Sequence, residues 1–279
     1  MWTRRAWLAS AASLAFGQDA EPVFSCPMDP DIRSKSPGKC SKCGMALRPG
    51  VADLTEFELE LEVVPRHAPA GRPIDLIFRV RQPNGGKAVR DFETIHERLF
   101  HQFLVSDDLH FFAHEHPELQ PDGSFRLQVT LPKPGVYRLL SDFLPAGGTP
   151  QMIARTLVTS GNRGPFRPAL LAPDLAPKGG VSLAMEPEKP IAGKRTLLFF
   201  ELDPADGLEQ YLGAWGHLLA VSHDFIDAVH SHPEIADGGP RMQFNLYFPR
   251  EASYRVWLQT QRKGVVNTAA FTVPVARLK

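Results

Sequence analysis

The 279-residue sequence has no surplus of charge: 31 Lys and Arg stand against 31 Asp and Glu. That balance provides no basic field for phosphate backbones and excludes a nucleic-acid binder built on overall charge. Cysteine is scarce, with three residues, all between Cys26 and Cys43. A disulfide-stapled secreted framework spreads an even number of cysteines along its chain. No apolar run reaches the roughly 20 residues that a spanning helix needs. Ser-His-Asp order, a Gly-rich phosphate loop after a strand and a nucleophile elbow are all missing, and carboxylate pairs such as Asp107-Asp108 fall in turns. What is plentiful is punctuation. Gly 22 and Pro 26 favour short strands and turns over long helices, in a chain whose 43% hydrophobic content is not that of a disordered segment. The length suits about two domains.

The first residues read as a targeting segment. Arg4-Arg5 is followed by the apolar run Trp7–Phe16 of ten residues and by small residues before Gln18. This is the pattern of an export signal at 1–17, with Ala15-Phe16-Gly17 as a cleavage site. Thr3-Arg4-Arg5-Ala6-Trp7-Leu8 looks like a twin-arginine signal, although paired arginines also open ordinary secretory signals. The expected location is periplasmic or extracytoplasmic, with no stable membrane span after signal removal. The alternative is a short amphipathic N-terminus retained on a cytoplasmic protein.

Residues 18–52 hold all the cysteines, as Cys26, thirteen residues, Cys40, two residues, Cys43, then Gly44. A C-x-x-C-G turn aims two thiolates at one ion. Met28 and Met45 add thioether sulfur nearby. Soft donors favour copper(I), silver and zinc over magnesium or calcium. The run Cys26-Pro27-Met28 followed by Pro37-Gly38-Lys39-Cys40-Ser41-Lys42-Cys43-Gly44-Met45 resembles the heavy-metal-binding domain found beside copper and silver efflux machinery. That family carries histidine after C-P-M, where this chain has Asp29. The resemblance implies a metal knuckle formed by Cys26, Cys40, Cys43, Met28, Asp29 and Met45, with carboxylate replacing imidazole. A redox pair and a disulfide are the competing readings of the thiols.

The remainder is written twice. His101–Glu118 aligns without a gap on His217–Glu234, including His114-Glu-His116-Pro117-Glu118 over His230-Ser-His232-Pro233-Glu234. Ala70-Gly71-Arg72 matches Ala192-Gly193-Lys194, and Tyr137-Arg138 matches Tyr254-Arg255 at what reads as a sandwich corner. Such self-similarity signals two copies of one fold. Alternation in Phe57–Val63, Ile74–Val80 and Phe125–Leu131 marks half-buried strands. The expected fold class is mainly β: a small metal knuckle followed by two tandem immunoglobulin-like β-sandwich domains of about seven strands each. Their expected ranges are 53–160 and 181–279, joined by a semi-stiff Pro/Gly-rich linker at 161–180. The repeat resembles extracytoplasmic β-sandwich domains of bacterial metal-associated proteins, a resemblance that implies no particular activity.

Nine of the ten histidines cluster around the two repeated stretches. In H-x-H on a strand both rings share a face. If 101–106 and 111–116 form a hairpin turning near Asp107-Asp108, His101 lies opposite His116, and His217 likewise lies opposite His232. Opposed Cβ atoms sit about 5 Å apart. Three imidazoles then converge in each copy, His101, His114 and His116 in the first and His217, His230 and His232 in the second. Either set suits copper(II) or zinc. The alternative is structural. His101 is in phase with Phe103 and Val105, and His217 with Leu219 and Val221, as expected of hydrogen-bonded caps at a sandwich end. His96 and Glu97 lack counterparts and are weaker ligand candidates, while His67, His110 and His223 read as solvated. The functional expectation is an exported, non-enzymatic heavy-metal-binding protein for a copper or zinc ion, with silver also fitting, that buffers the ion or transfers it to an efflux or delivery protein. Its rivals are an interaction scaffold with a structural zinc and a copper-dependent enzyme.

Overall fold

The computed structural model of the chain describes residues 23–27, 32–41, 44–50, 55–83 and 85–278. The proposed export signal at 1–17, and Met28, Asp29 and Cys43 of the knuckle, lie outside the described residues. Two compact units divide the chain, Met1–Ala52 and Asp53–Lys279. Every regular element among the described residues is a strand, and no helix is long and apolar enough to cross a membrane.

In the first unit β1 (Phe24–Ser25) pairs antiparallel with β2 (Arg33–Ser34) and β3 (Arg48–Pro49). Little apolar surface is available, so turns carry the shape. Cys26 N donates to Ile32 O at 3.0 Å, and Cys40 N to Met45 O at 2.7 Å. Gly44 takes φ of 74°, a left-handed conformation that side chains resist, and its N–H returns to Cys40 O at 3.0 Å. The fold thus turns back just after the C-x-x-C pair.

The second unit holds two β-sandwiches. In the first, β4 (Glu58–Val64), β5 (Pro73–Arg81), β9 (Glu118–Leu119) and β10 (Phe125–Thr130) form one sheet in the order β4-β5-β10-β9. The other sheet contains β6 (Phe92–Glu93), β7 (Phe100–Ser106), β8 (Phe112–Glu115), β11 (Val136–Pro145) and β12 (Gln151–Val158), in the order β12-β11-β7-β8 with β6 on β11. The second sandwich repeats this plan. Its outer sheet is β13 (Val181–Glu186), β14 (Arg195–Leu202) and β18 (Arg241–Tyr247). Its inner sheet joins β15 (Leu208–Glu209), β16 (His217–Ser222), β17 (Ala228–Ser231), β19 (Ala252–Arg262) and β20 (Val265–Val275), with β19 pairing β15, β16 and β20. The two-residue strands raise the count above seven in each sandwich.

Alternation gives each inner sheet two apolar faces. Phe100, Leu104, Tyr137, Leu139 and Phe143 pack into the core of the first sandwich. The opposite face carries Phe103, Val105, Leu109 and Leu140, which pack directly on Leu219, Val221, Phe225 and Trp257 of the second sandwich. The inner sheets therefore meet face to face, with equivalent positions on both sides. Phe112 stacks on Trp257 at 5.0 Å between ring centroids. Burying such side chains contributes about 1.5–3 kcal/mol each.

The corners follow from the repeated Tyr-Arg pairs. Tyr137 Oη donates to Lys133 O at 2.8 Å, and Tyr254 Oη lies 3.2 Å from Arg250 O, each four residues upstream. The linker departs from the spacer expected at 161–180. Ala169 N donates to His223 O at 2.9 Å, Phe166 stacks on Phe225, and Asp174 bridges to Thr272. It is a strap laid along the second sandwich, with Phe166, Ala169 and Leu171 drawn to the Phe225 end of the shared core.

Candidate metal centre

β7 and β8 pair Gln102 with Glu115, Phe103 with His114 and Val105 with Phe112, a register that sets His101 opposite His116. β16 and β17 pair Leu218 with Ser231 and Leu219 with His230, which sets His217 opposite His232. The turns belong to the sequence motif too. Ser106 Oγ donates to Asp108 Oδ1 at 2.6 Å and Ser222 Oγ to Asp224 Oδ1 at 2.7 Å. Leu109 and Phe225 follow with φ of 58° and 64°, which tucks both side chains into the contact between the sandwiches.

One ring nitrogen from each of His101, His114 and His116 lies within 4.8 Å of the others, and the same holds for His217, His230 and His232. The sequence suggested two separate sites. The structure brings them together, because His101 and His217 lie on the faces where the sandwiches meet. Ring centroids of His114 and His217 are 5.8 Å apart, those of His101 and His230 6.1 Å, and those of His114 and His230 6.3 Å. His96, a weaker candidate from sequence, reaches across from the first sandwich to lie on His232, with ring centroids 3.6 Å apart and planes tilted by 31°. It does so from a backbone with φ of 45°; Glu97 beside it is exposed and is not grouped with the ligand atoms. His67 and His110 are exposed. His223 is a correction to its solvated reading: it is half-buried, its Nδ1 is buried without a hydrogen-bond partner, and its backbone ties the strap.

Hydrogen-bond partners fix how several rings face the cluster. Ile95 O and Tyr211 O can only accept, so His101 Nε2 and His217 Nε2 donate to them, at 2.9 and 2.7 Å. In a neutral ring the lone pair is then on Nδ1, facing inward. Gln259 Nε2 donates to Thr268 Oγ1, which leaves its Oε1 to accept from His114 Nδ1 at 2.8 Å. His230 Nδ1 donates to Asp142 Oδ2 at 2.7 Å. Burial works against the Asp142 carboxylate, but the hydrogen bond from His230, foremost among the groups facing it, outweighs burial and holds its pKa below the usual range.

These tautomers leave inward donors for an ion. His114 Nε2 and His101 Nδ1 lie 3.0 Å apart, both with lone pairs, a contact that a cation between them would relieve. In the second triad His232 Nε2 is 2.9 Å from His217 Nδ1. His116 Nε2 and His230 Nε2 are buried with no hydrogen-bond partner, each costing about 1–3 kcal/mol if left unsatisfied. Burial, aided by neighbouring rings, pushes His101 down to about 4 and His116 to about 3, and holds His114, His217 and His232 well below the ordinary histidine value. Neutral imidazoles with orphaned nitrogens are a donor set that fits copper(II) or zinc.

Asp142 and Gln259 were not foreseen from sequence. They occupy equivalent positions, opposite His101 on β11 and opposite His217 on β19. The available signal was one acid and one amide at matching places, five residues after Tyr137 and Tyr254. In the knuckle, Cys26 and Cys40 are buried and Met45 is half-buried.

Residues 23–49 match the family described as Heavy metal binding domain. Over 33 residues the chain is 58% identical to a silver exporting P-type ATPase of Salmonella typhimurium, covering 12% of this chain and 4% of that protein. Over 34 residues it is 50% identical to a copper-exporting P-type ATPase of Legionella pneumophila, covering 12% of this chain and 5% of that protein. The match therefore spans only a small fraction of these exporters. Among solved structures, a two-domain fibronectin type-III segment of chicken tenascin aligns with 78% of this chain and 99% of its own, at 12% identity and a TM-score of 0.22. The adhesin InvE of Yersinia pseudotuberculosis aligns with 78% of this chain and 60% of its own, at 9% identity and a TM-score of 0.26. The sandwiches themselves match a further family over residues 52–160 and 176–277, and the chain belongs to that family, described as Domain of unknown function (DUF8832).

Proposed function

We propose that this chain is an exported heavy-metal-binding protein of the copper and silver class, which buffers the ion or transfers it to an efflux or delivery protein. The carrying observation is the heavy metal binding segment at 23–49, in which the described cysteines Cys26 and Cys40 are buried in a unit with little apolar core. So small a unit needs a staple, and ion binding supplies folding energy. Similarity to segments of silver and copper exporters favours soft ions and a hand-over role. The sandwiches are read as two copies of one module, and the histidines between them offer nitrogen donors for a harder copper state or zinc. Binding rather than turnover is the role proposed.

Metal analysis of protein purified from the export compartment tests this. Wild type should carry copper, silver or zinc, and the combined Cys26→Ser, Cys40→Ser and Cys43→Ser variant should lose the thiolate-bound share. Equal soft-metal content in the two proteins would remove the knuckle from the function. N-terminal sequencing should find the mature chain starting near Gln18; an intact Met1 on soluble cytoplasmic protein would refute export.

A further inference from the structure

The hydrogen bonds that orient the histidines cross between the sandwiches. His230 of the second sandwich is held by Asp142 of the first, and His114 of the first by Gln259 of the second. His96 of the first sandwich lies on His232 of the second. Neither triad is therefore oriented by its own sandwich alone. An open groove of about 490 Å³, lined in part by Glu97, Arg98, Glu115 and Glu118, borders the cluster at the half-buried His116. Its three carboxylates favour a cation there, and one arginine opposes them.

We propose that the histidines form one two-ion centre built across the contact between the sandwiches. His101, His114 and His116 hold one copper(II) or zinc ion, and His217, His230 and His232 hold the other. Asp142 and Gln259 act as positioning residues, each for the triad of the opposite sandwich. This rests on the reading of the chain as a metal binder, but it uses none of the thiols. Partners that orient a ligand histidine typically matter 10–100-fold in metal affinity.

The test uses the full chain with Cys26→Ser, Cys40→Ser and Cys43→Ser, titrated with copper(II) and followed by metal analysis and electron paramagnetic resonance. The expected result is two copper ions per chain whose signal at full loading is that of a dipole-coupled pair, broadened and accompanied by a half-field transition. Adding Asp142→Leu should weaken the second triad's ion 10–100-fold, although Asp142 belongs to the first sandwich. If that chain loses its strand spectrum, Asp142→Ala takes its place: weaker binding of one ion supports the centre, and unchanged affinity overturns it. Two ions with the unbroadened signal of isolated copper and no half-field transition would overturn the shared centre and leave metal binding intact. Absence of copper from the cysteine-free chain, with binding retained by wild type, would make the histidines structural and refute the centre alone. Absence from both would also defeat the proposed function.

Discussion

A histidine's protonation is set by what surrounds it, and here burial dominates. His101 is fully buried, and its pKa falls to about 4 in the folded protein. In the unfolded chain it titrates near 6.5. Between those values the unfolded chain binds more protons, so folding stability is complete above about 6.5 and is lost as pH falls toward 4. Metal-free protein should therefore lose stability across this window, by up to about 1.4 kcal/mol per pH unit for each such histidine. Urea melts at pH 7.5, 6 and 5 measure it; equal midpoints would mean that the rings are not held neutral. Bound metal should flatten the same profile down to the pH at which protons displace it. At the corners, Tyr137→Phe removes one hydroxyl bond to Lys133 O. It should cost about 0.5–1.5 kcal/mol in denaturant midpoints, with no change in copper stoichiometry.

Strand register was legible before the fold was known, and strand environment was not. Period-two alternation and the position of Asp107-Asp108 are enough to set His101 opposite His116, because pairing along an antiparallel hairpin is fixed by its turn. The face on which the rings stand was legible too, since they are in phase with Phe103 and Val105. What that face packs against was not. Alternation does not distinguish a sandwich core from a contact between sandwiches, and the inner strands β7 and β16 are apolar on both faces. Two local sites were thus expected where the structure forms one cluster. Asp142 and Gln259 escaped for the same reason, since their partners lie 88 and 145 residues away in sequence. The linker shows a related limit. Its prolines mark an extended segment, but its docking depends on single contacts such as Ala169 N to His223 O. Ala169→Pro deletes that donor. Limited proteolysis should then cut within 161–173, where Leu170 is already fully exposed, while both sandwiches survive. Resistance equal to wild type would show that the strap holds by its side chains alone.

At the scale of the molecule, the contact between the sandwiches is both a core and a scaffold. Phe103, Val105, Leu109 and Leu140 meet Leu219, Val221, Phe225 and Trp257, while the histidines fill the polar end of the same contact. Phe103 lies against both, with its ring 4.2 Å from His114 and 4.9 Å from His230. Stability and site geometry are therefore coupled through shared atoms. Trp257 is 2% exposed and stacks on Phe112 across the contact. Truncating a buried aromatic of this size costs about 3–5 kcal/mol. Trp257 belongs to the shared cluster rather than to the inner core of the second sandwich, so that cost should fall on the association of the two sandwiches. Wild-type protein should unfold in one calorimetric transition across 55–278. Trp257→Ala should separate it into two, each sandwich melting on its own. Copper binding by the histidines should weaken in the same variant, although Trp257 ligates nothing, because Asp142 and Gln259 reach His230 and His114 only while the sheets are docked. A single transition shifted to lower temperature, with copper affinity unchanged, would show instead that the histidines keep their positions without the apolar contact.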